Sequence, residues 1–274
     1  MPGTPVREAL DSAVIALSAA GIDTPRLDAE VLLAHVLGVD RLALVAEGRR
    51  TVEGGAIRAF QDAVRRRAFE REPVAYITGH KGFRHLDLHV DARVLIPRPE
   101  TETLVEAALE AMPRGARVVD VGTGSGAVAL ALKDERPDLR VLATDVSADA
   151  LDVARANAQR LDLDVEFLRA DLLEGIGVVD AVVSNPPYVE DAAELAPEIV
   201  RHEPALALRA GPDGLDVLRL LVPAAAAGGA SVLAVEVGAG QAGAVERLAR
   251  EAGFGRTERR ADLAGVDRVV VAWR

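Results

Sequence analysis

The chain has 274 residues, half of them apolar and 27% charged, a composition that supports a packed core and excludes a disordered or collagen-like chain. It contains no cysteine, which excludes disulfides, thiolate metal ligands and a cysteine nucleophile. The formal net charge of −11 and the 3% of aromatic residues argue against stable nucleic-acid binding through phosphate neutralisation or base stacking.

No segment has the pattern of a signal peptide or of a membrane-spanning helix. The apolar stretch from Val14 to Ala20 is short, and the apolar region 217–237 is interrupted by arginine, proline and glycine. We therefore expect a soluble cytoplasmic protein with no membrane partner. We also expect a monomer.

The first 70 residues predict a small helical bundle. Val6, Leu10 and Leu17 recur at helical spacing, and Gly21 follows as a stop. A second helix carries Pro25 in its first turn and ends at Gly38. Its predicted inward residues are Leu27, Val31, Leu32, Val36 and Leu37. A third helix is predicted over residues 52–70.

An arginine-rich stretch lies within this helical region. Its members are Arg49, Arg50, Arg58, Arg65, Arg66, Arg67 and Arg71. Acidic residues alternate with them, so the simpler interpretation is an exposed helix face with local ion pairs. Contact with a protein partner or with RNA is the alternative.

The pattern changes after Pro73. From Tyr76 to Val94, glycines punctuate a stretch in which apolar residues alternate, which predicts a β-hairpin between two domains. The histidines at positions 80, 85 and 89 predict no metal site, because strand geometry directs 80 and 85 to opposite faces. Two prolines then precede a helix for which Thr101 is the expected N-cap.

From residue 117 onward, short apolar runs alternate with amphipathic stretches. This alternation predicts an α/β fold with a doubly wound, mostly parallel sheet and helices on both faces. The predicted strands are 118–121, 141–144, 165–168, 178–184 and 231–237, and the predicted helices are 126–135, 148–161, 214–227 and 240–253. Residues 256–260 and 268–273 predict an antiparallel pair at one edge, which makes seven strands.

A glycine-rich turn follows the first of these strands and predicts a nucleoside site. Gly122, Gly124 and Gly126 allow a sharp turn and a close approach of the backbone to a ligand. Asp145 ends the second strand, where a carboxylate can accept both hydroxyls of a ribose. Asp171 follows the third strand and could accept a hydrogen bond from an adenine amine. The turn also satisfies a loose dinucleotide pattern, so a nicotinamide cofactor stays open at this point.

The fourth strand ends in Asn185, Pro186, Pro187 and Tyr188, which predict a clamp for a planar NH₂ group. The Asn185 side-chain oxygen and the Pro186 carbonyl can each accept one amine hydrogen. Tyr188 supplies a flat face for stacking. Two acceptors would increase lone-pair density on a weakly nucleophilic nitrogen and aim it at an electrophile.

The glycine-rich turn, the acid that ends the second strand and Asn-Pro-Pro-Tyr together resemble S-adenosylmethionine-dependent amino methyltransferases. Four further segments are similar to the release-factor glutamine methyltransferase family (PrmC/HemK): residues 95–102 (LIPRPETE), 203–206 (EPAL), 211–215 (GPDGL) and 236–241 (EVGAGQ). The resemblance covers essentially the whole chain.

The resemblance implies methylation of the side-chain amide nitrogen (N5) of the glutamine in the Gly-Gly-Gln motif of peptide chain release factors. The cofactor would be S-adenosylmethionine, the product S-adenosylhomocysteine, and no metal would take part. The implied cofactor-binding residues are Gly122, Thr123, Gly124, Ser125, Gly126, Asp145, Asp171, Leu172 and Asn185.

The glutamine amide would be held by Asn185 to Tyr188, with Asn185, Pro186 and Tyr188 as the catalytic residues. Arg98, Pro99 and Thr101 would line the cofactor entrance. Many relatives have an aromatic residue where this chain has Leu172, so adenine would pack here on an aliphatic surface.

The resemblance also implies three regions. Residues 1–74 would form a helical domain that binds the release factor, 75–97 a hairpin linker, and 98–274 the methyltransferase domain. Two alternatives stay open. One is a nucleic-acid methyltransferase that acts on the exocyclic amine of adenine or guanine with the same clamp; the other is a nucleoside- or nicotinamide-binding protein that has no use for the clamp.

Overall fold

The computed structural model describes residues 3–46 and 51–274, and the chain divides into two compact units. Unit 1 comprises Met1–Gly79 together with Leu195–His202, and unit 2 comprises His80–Glu194 together with Glu203–Arg274. Arg49 and Arg50 of the arginine-rich stretch lie outside the described residues.

Unit 1 is helical, as the apolar spacing predicts. Its helices are α1 (Val6–Ala19), α2 (Pro25–Leu37), α3 (Arg41–Ala46), α4 (Gly54–Arg65) and α5 (Val74–Thr78). A π-helical turn at Arg66–Glu70 extends α4, and the short strands β1 (Thr4–Pro5) and β2 (Thr51–Val52) pair antiparallel. The third helix therefore begins two residues later than predicted, because Val52 pairs with Thr4 as a strand residue.

The buried face of α2 differs from the predicted one. Leu27 is 44% exposed, whereas the neighbouring Asp28 is 6% exposed. The Asp28 carboxylate accepts a hydrogen bond from Arg67 Nε at 2.7 Å. A buried charge is tolerated only when it is paired, and this pair lies on the inward face of α2 beside Ala29 and Leu32. Apolar spacing alone cannot reveal an inward-facing aspartate.

Unit 2 contains the predicted seven-stranded sheet. After the hairpin strands β3 (His80–Phe83) and β4 (Leu86–His89), its strands are β5 (Arg117–Val121), β6 (Arg140–Asp145), β7 (Glu166–Arg169), β8 (Ala181–Ser184), β9 (Val232–Glu236), β10 (Arg256–Ala261) and β11 (Asp267–Trp273). The remaining helices of the chain are α6 (Thr101–Ala111), α7 (Ala127–Glu135), α8 (Ala148–Leu161), α9 (Pro197–His202), α10 (Asp216–Ala227) and α11 (Ala242–Glu251). Of these, α9 belongs to unit 1, and a 3₁₀ turn precedes α10 at Ala205–Ala207.

The sheet has the strand order β10-β11-β9-β8-β5-β6-β7, in which β11 runs antiparallel to both of its neighbours. This confirms the doubly wound, mostly parallel architecture. Strand β5 is buried on both faces: Val118 belongs to one apolar core and Val119 to the other. Strand β8 is shorter than predicted, because its register with β5 begins with Val118 opposite Ala181.

The hairpin forms later in the chain than predicted. Strands β3 and β4 pair antiparallel with His80 opposite His89, whereas Tyr76 to Thr78 are helical in α5. Pro73 is the N-cap residue of this short helix, and Gly79, in the left-handed region at φ 74°, is its C-cap residue.

Two of the described arginines of the arginine-rich stretch form the local ion pairs that the simpler interpretation predicts. Arg65 pairs with Asp62, and Arg66 pairs with Glu72. Arg67 and Arg71 instead both contact Glu198 of α9, with Nη2 to carboxylate oxygen distances of 3.4 and 3.0 Å. Within the described part of the chain, no helix is both long and apolar enough to cross a membrane.

Candidate functional site

The carboxyl ends of β5, β6 and β8 open onto one cavity of about 270 Å³ in unit 2. Parallel α/β sheets bind ligands at this edge, next to the point where the strand order reverses. The cavity brings together eight of the predicted site residues: Gly122, Gly124, Asp145, Asp171, Leu172, Asn185, Pro186 and Pro187. Other parts of its wall come from residues 93–95 and from Pro204, Leu206, Ala207, Arg209 and Val217.

The glycine-rich turn has the backbone conformation that its sequence predicts. Gly122 and Gly124 have φ values of 72° and 56°, a region that favours glycine. The amides of Gly122 and Thr123 both donate to the Thr144 carbonyl, at 2.9 Å each. A Cβ atom at Gly122 or Gly124 would meet no protein atom within 4 Å, so the space beside this backbone is open to a ligand.

Asp120 stabilises the glycine-rich turn through hydrogen bonds to its side chain. Its Oδ2 accepts hydrogen bonds from the Thr123 hydroxyl at 2.6 Å and from the Ala129 amide at 3.1 Å. Burial raises the pKa of Asp120 to about 7, and these two hydrogen bonds oppose the rise because they stabilise the charged form. Asp120 does not line the cavity, so its role is to stabilise the glycine-rich turn.

Asp145 connects the turn to the start of α8. Its Oδ2 accepts from the Gly124 amide and its Oδ1 from the Ser147 amide, both at 2.9 Å. Each carboxylate oxygen has more than one lone pair, so the side chain is held in place and can still accept from a diol. The position and the remaining acceptor capacity fit the predicted contact with a ribose.

Leu172 borders the cavity in a strained backbone conformation. Its φ is 49°, in the left-handed region that bulky residues seldom adopt. It lies beside Asp171, which also lines the cavity. The aliphatic surface expected for an adenine ring is thus present in the wall of the cavity.

The amide of Asn185 is oriented by a residue far away in the sequence. Asn185 Nδ2 donates to Thr101 Oγ1 at 3.0 Å, and no described residue donates to its Oδ1. The oxygen is therefore the free end of an amide that lines the cavity. Thr101 is the first residue of α6 and makes no capping hydrogen bond, so the expected N-cap role was wrong; Glu100 occupies the cap position.

Tyr188 contacts a buried acid at the end of the neighbouring strand. Its hydroxyl donates to Glu236 Oε1 at 3.1 Å, and Glu236 is 0% exposed. Burial raises the pKa of Glu236 to about 7, while hydrogen bonds from Thr101 and Tyr188 lower it. Burial and the Glu236 charge also raise the pKa of Tyr188, so its hydroxyl stays protonated. Tyr188 does not line the cavity.

Gln241 and Gly214 both contact the backbone carbonyl of Tyr188. Gln241 Nε2 donates to the Tyr188 carbonyl at 3.0 Å and to the Asp213 carbonyl at 3.1 Å. A Cβ atom on Gly214 would lie 2.1 Å from the Tyr188 oxygen, so only glycine fits there. Two of the segments that carried the resemblance therefore meet at Asn-Pro-Pro-Tyr.

The other two segments that carried the resemblance meet at Glu203. This buried carboxylate accepts from the Ile96 amide at 3.2 Å and forms an ion pair with Arg98 at 2.5 Å. Arg98 and Pro99, expected at the cofactor entrance together with Thr101, are absent from the cavity wall. Arg93, Val94 and Leu95 line it instead. The ion pair explains the difference for Arg98, because it directs the guanidinium toward Glu203.

Three residues of the glycine-rich turn shape it without lining the cavity. The Thr123 hydroxyl is bonded to Asp120, Ser125 is buried, and Gly126 is the N-cap of α7. Their direct contact with a cofactor stays a prediction. The sequence analysis missed Asn157, which is fully buried and donates to the Ser125 carbonyl at 2.9 Å.

Asn157 also connects this turn to the hairpin. It donates to the His89 carbonyl at 2.9 Å and accepts from the His89 amide at 2.8 Å. In the sequence, the only indication of this role was that a polar residue occupies one of the apolar positions of α8. Across residues 3–46 and 51–274, no group of three or more metal-ligating side chains is present.

The arrangement can bind a nucleoside and an NH₂ group side by side. Asp145 offers acceptors on one side of the cavity, and the Asn185 oxygen offers an acceptor on the other. No group with nucleophilic or general-base chemistry is required between them, since the geometry serves positioning.

Two sequence profiles match the chain. The PrmC N-terminal domain matches residues 8–79, and the methyltransferase small domain matches residues 99–211. Among curated proteins, the release factor glutamine methyltransferase of Mycolicibacterium smegmatis is 46% identical over 81% of this chain and 80% of its own length. The protein of the same name from Deinococcus radiodurans is 47% identical over 81% of both chains.

Solved structures share the fold at low sequence identity. A methyltransferase from Pyrococcus furiosus has a TM-score of 0.53 at 17% identity and covers 70% of this chain and 91% of its own. A 16S rRNA methyltransferase from T. thermophilus, solved with AdoMet and guanosine, has a TM-score of 0.51 at 19% identity and covers 71% and 49%. These similarities confirm a methyltransferase fold.

Proposed function

The chain belongs to the release factor glutamine methyltransferase family, and from this premise we propose that it methylates the side-chain amide nitrogen of the glutamine in the Gly-Gly-Gln motif of peptide chain release factors. The observation that carries the proposal is the orientation of Asn185. Its nitrogen is bonded to Thr101, which leaves its oxygen for an NH₂ group in the same cavity that Asp145 and the glycine-rich turn line.

The cofactor of this reaction is S-adenosylmethionine, which supplies a methyl group on a positively charged sulfur. The cavity residues fit such a molecule. Asp145 is fixed by two backbone amides and has lone pairs left for a ribose diol. Gly122 and Gly124 leave open space beside the backbone, and Leu172 offers an apolar surface to the adenine.

Asn185 and Pro186 act on the glutamine amide. An amide nitrogen is a weak nucleophile because its lone pair is delocalised into the carbonyl. The Asn185 oxygen and the Pro186 carbonyl each accept one of its hydrogens, which favours a pyramidal nitrogen and directs its lone pair. Pro187 has no N–H that could compete. Stacking of the Tyr188 ring on the amide plane stays a prediction, because Tyr188 does not line the cavity.

The three regions expected from the sequence become part of this proposal. Residues 1–74 bind the release factor, 75–97 link the regions, and 98–274 carry the chemistry. Removal of residues 1–72 tests the first part. We expect cofactor binding to persist while methylation of the release factor is lost, and unchanged methylation would contradict a binding role for the helices.

Transfer of radioactive methyl groups tests the function itself. The protein is incubated with labelled S-adenosylmethionine and a release factor, a release factor with Gln→Ala in Gly-Gly-Gln, or ribosomal and transfer RNA. Label on the intact release factor alone supports the proposal. Label on RNA would favour the nucleic-acid methyltransferase, and no label on any substrate would contradict both. A monomeric state, a cytoplasmic location and the lack of stable nucleic-acid binding stay predictions.

A further inference from the structure

The loop that follows the Asn-Pro-Pro-Tyr segment is shared between the two units. Its first residues belong to unit 2, Leu195–His202 belong to unit 1, and the chain returns to unit 2 at Glu203. The chain therefore passes between the units three times, once after Gly79 and twice within this loop. The proposed chemistry gives the segment that contains α9 no role.

Both ends of this loop contribute to the cavity. Pro187 lines it just before the loop begins. The residues that line it after the return to unit 2 are Pro204, Leu206, Ala207 and Arg209. The base of the loop is closed by backbone hydrogen bonds, since the Val189 amide donates to the Leu208 carbonyl and the Ala210 amide donates to the Val189 carbonyl, at 2.9 Å each. The loop from 189 to 209 is therefore continuous with the clamp and with the cavity wall.

Glu198 anchors α9 within unit 1. Its carboxylate accepts from Arg71 Nη2 at 3.0 Å and from Arg67 Nη2 at 3.4 Å. Both arginines are themselves held in place. Arg67 donates from Nε to the buried Asp28 carboxylate at 2.7 Å, and Arg71 donates from Nη1 to the Ala20 carbonyl at 3.0 Å. Glu198 thus connects α9 to α2 and to the end of α1 through two fixed guanidinium groups.

The part of unit 1 that receives α9 has an unfavourable local structure. Residues Arg66–Glu70 form a π-helical turn, and Arg71 has a φ of 61°, in the left-handed region. Arg71 Nε is buried and has no hydrogen-bond partner within the described residues. His202, the last residue of α9, contacts the Glu70 carbonyl through Nε2 at 2.8 Å. Such turns and strained residues are concentrated at functional positions, and here they lie where α9 docks.

We propose that Glu198 is a positioning residue, which anchors α9 to the helical unit and thereby orders the cavity wall that follows Glu203. This inference rests on the proposed function and assigns the helical unit a second task, the ordering of the substrate end of the cavity. The predicted cofactor contacts at Gly122, Gly124 and Asp145 lie outside the loop and have their own hydrogen bonds. Loss of the anchor should therefore affect turnover and leave cofactor binding nearly unchanged.

Three variants test this separation in the full chain. Glu198→Ala removes the acceptor of both arginines, and we expect kcat for release-factor methylation to fall about 10-fold while the Kd for S-adenosylhomocysteine stays within about threefold. Glu198→Asp keeps the charge and should recover kcat to within about threefold of wild type. Glu194→Ala removes an exposed acid of the same loop and is the matched control, with wild-type kcat expected.

Hydrogen exchange followed by mass spectrometry gives a readout that does not depend on activity. In Glu198→Ala we expect the amides of 198–202 and of 205–209 to exchange about 10-fold faster than in wild type, because the loop opens more often. The amides of α1 and α2 should exchange as in wild type, which shows that the helices themselves stay folded. Glu194→Ala should match wild type throughout.

Several results would overturn the inference. These are a Glu198→Ala protein with wild-type kcat, a Glu198→Asp protein as impaired as Glu198→Ala, or faster exchange that stops at His202 and leaves 205–209 unchanged. Faster exchange across α1 and α2 would also overturn it, since Glu198 would then only stabilise the helical unit. If wild type fails to methylate release factors while 205–209 respond as expected, the proposed function fails and the anchoring by Glu198 stands.

Discussion

Replacement of Asp145 by alanine is the most direct test of the cofactor site. Each oxygen of this carboxylate already accepts one backbone amide, from Gly124 and from Ser147, at 2.9 Å. We expect each to accept one ribose hydroxyl as well. A hydrogen bond to a charged group contributes about 1.5–3 kcal/mol, so the loss of two should cost about 3 kcal/mol at the lower limit. That corresponds to roughly a 100-fold increase in the Kd for S-adenosylmethionine.

Titration calorimetry with S-adenosylmethionine and S-adenosylhomocysteine measures this Kd. Asp145→Asn retains one acceptor oxygen but turns an NH₂ group toward one of the two amides, so its Kd should lie between those of wild type and Asp145→Ala. Asp149→Ala, an exposed residue in the first turn of α8, is the matched control. The reasoning is refuted if Asp145→Ala keeps a Kd within about threefold of wild type and unfolds at the same temperature.

Three further changes test other parts of the site. Asn185→Ala should lower kcat for release-factor methylation by at least about 100-fold with the cofactor Kd within about threefold, because the side chain acts on the acceptor amide; equal losses in both would contradict this assignment. Leu172→Phe should tighten cofactor binding by about 2- to 10-fold in the same calorimetric titration, since an aromatic ring stacks on adenine, and weaker binding would show that adenine packs elsewhere. Asp120→Asn keeps the shape and one acceptor for Thr123 and Ala129 but cannot ionise. Because the folded pKa of Asp120 is raised to about 7, wild type gains stability from it below pH 4 and loses that contribution as the pH rises to 7. In urea unfolding, wild type should therefore lose on the order of 4 kcal/mol relative to Asp120→Asn between about pH 4 and 8, and a constant difference would refute the assignment.

Much of the site was predictable because its parts are local in sequence. The glycines at 122 and 124 and the acid at 145 each follow a buried strand, and parallel strands bring their carboxyl ends to one edge of a sheet. Asn-Pro-Pro-Tyr follows the next strand in the same way. All seven strands were found with ends within three residues, and for the central strands a short apolar run was a sufficient signal.

The roles of Thr101 and Arg98 were not predictable in the same way. Both were expected at the cofactor entrance, yet Thr101 bonds to Asn185, which is 84 positions away in the sequence, and Arg98 pairs with Glu203, which is 105 positions away. Leu27 was misassigned for a related reason. The inward face of α2 is set by a buried ion pair between Asp28 and Arg67, 39 positions apart, and apolar spacing contains no information about such pairs.

The sequence by itself determined most of the secondary structure, the doubly wound sheet, the glycine-rich turn and the Asn-Pro-Pro-Tyr segment that follows β8, because these depend on neighbours along the chain. Only the tertiary structure decided which end of the Asn185 amide is bonded to Thr101 and which is left for the cavity. That orientation depends on contacts of Asn185 with α6 and of Tyr188 with β9, which exist because β8 lies between β5 and β9 in the sheet. Hydrogen-bond direction at Asn185 is a property of this three-dimensional neighbourhood, and no residue pattern within one segment encodes it.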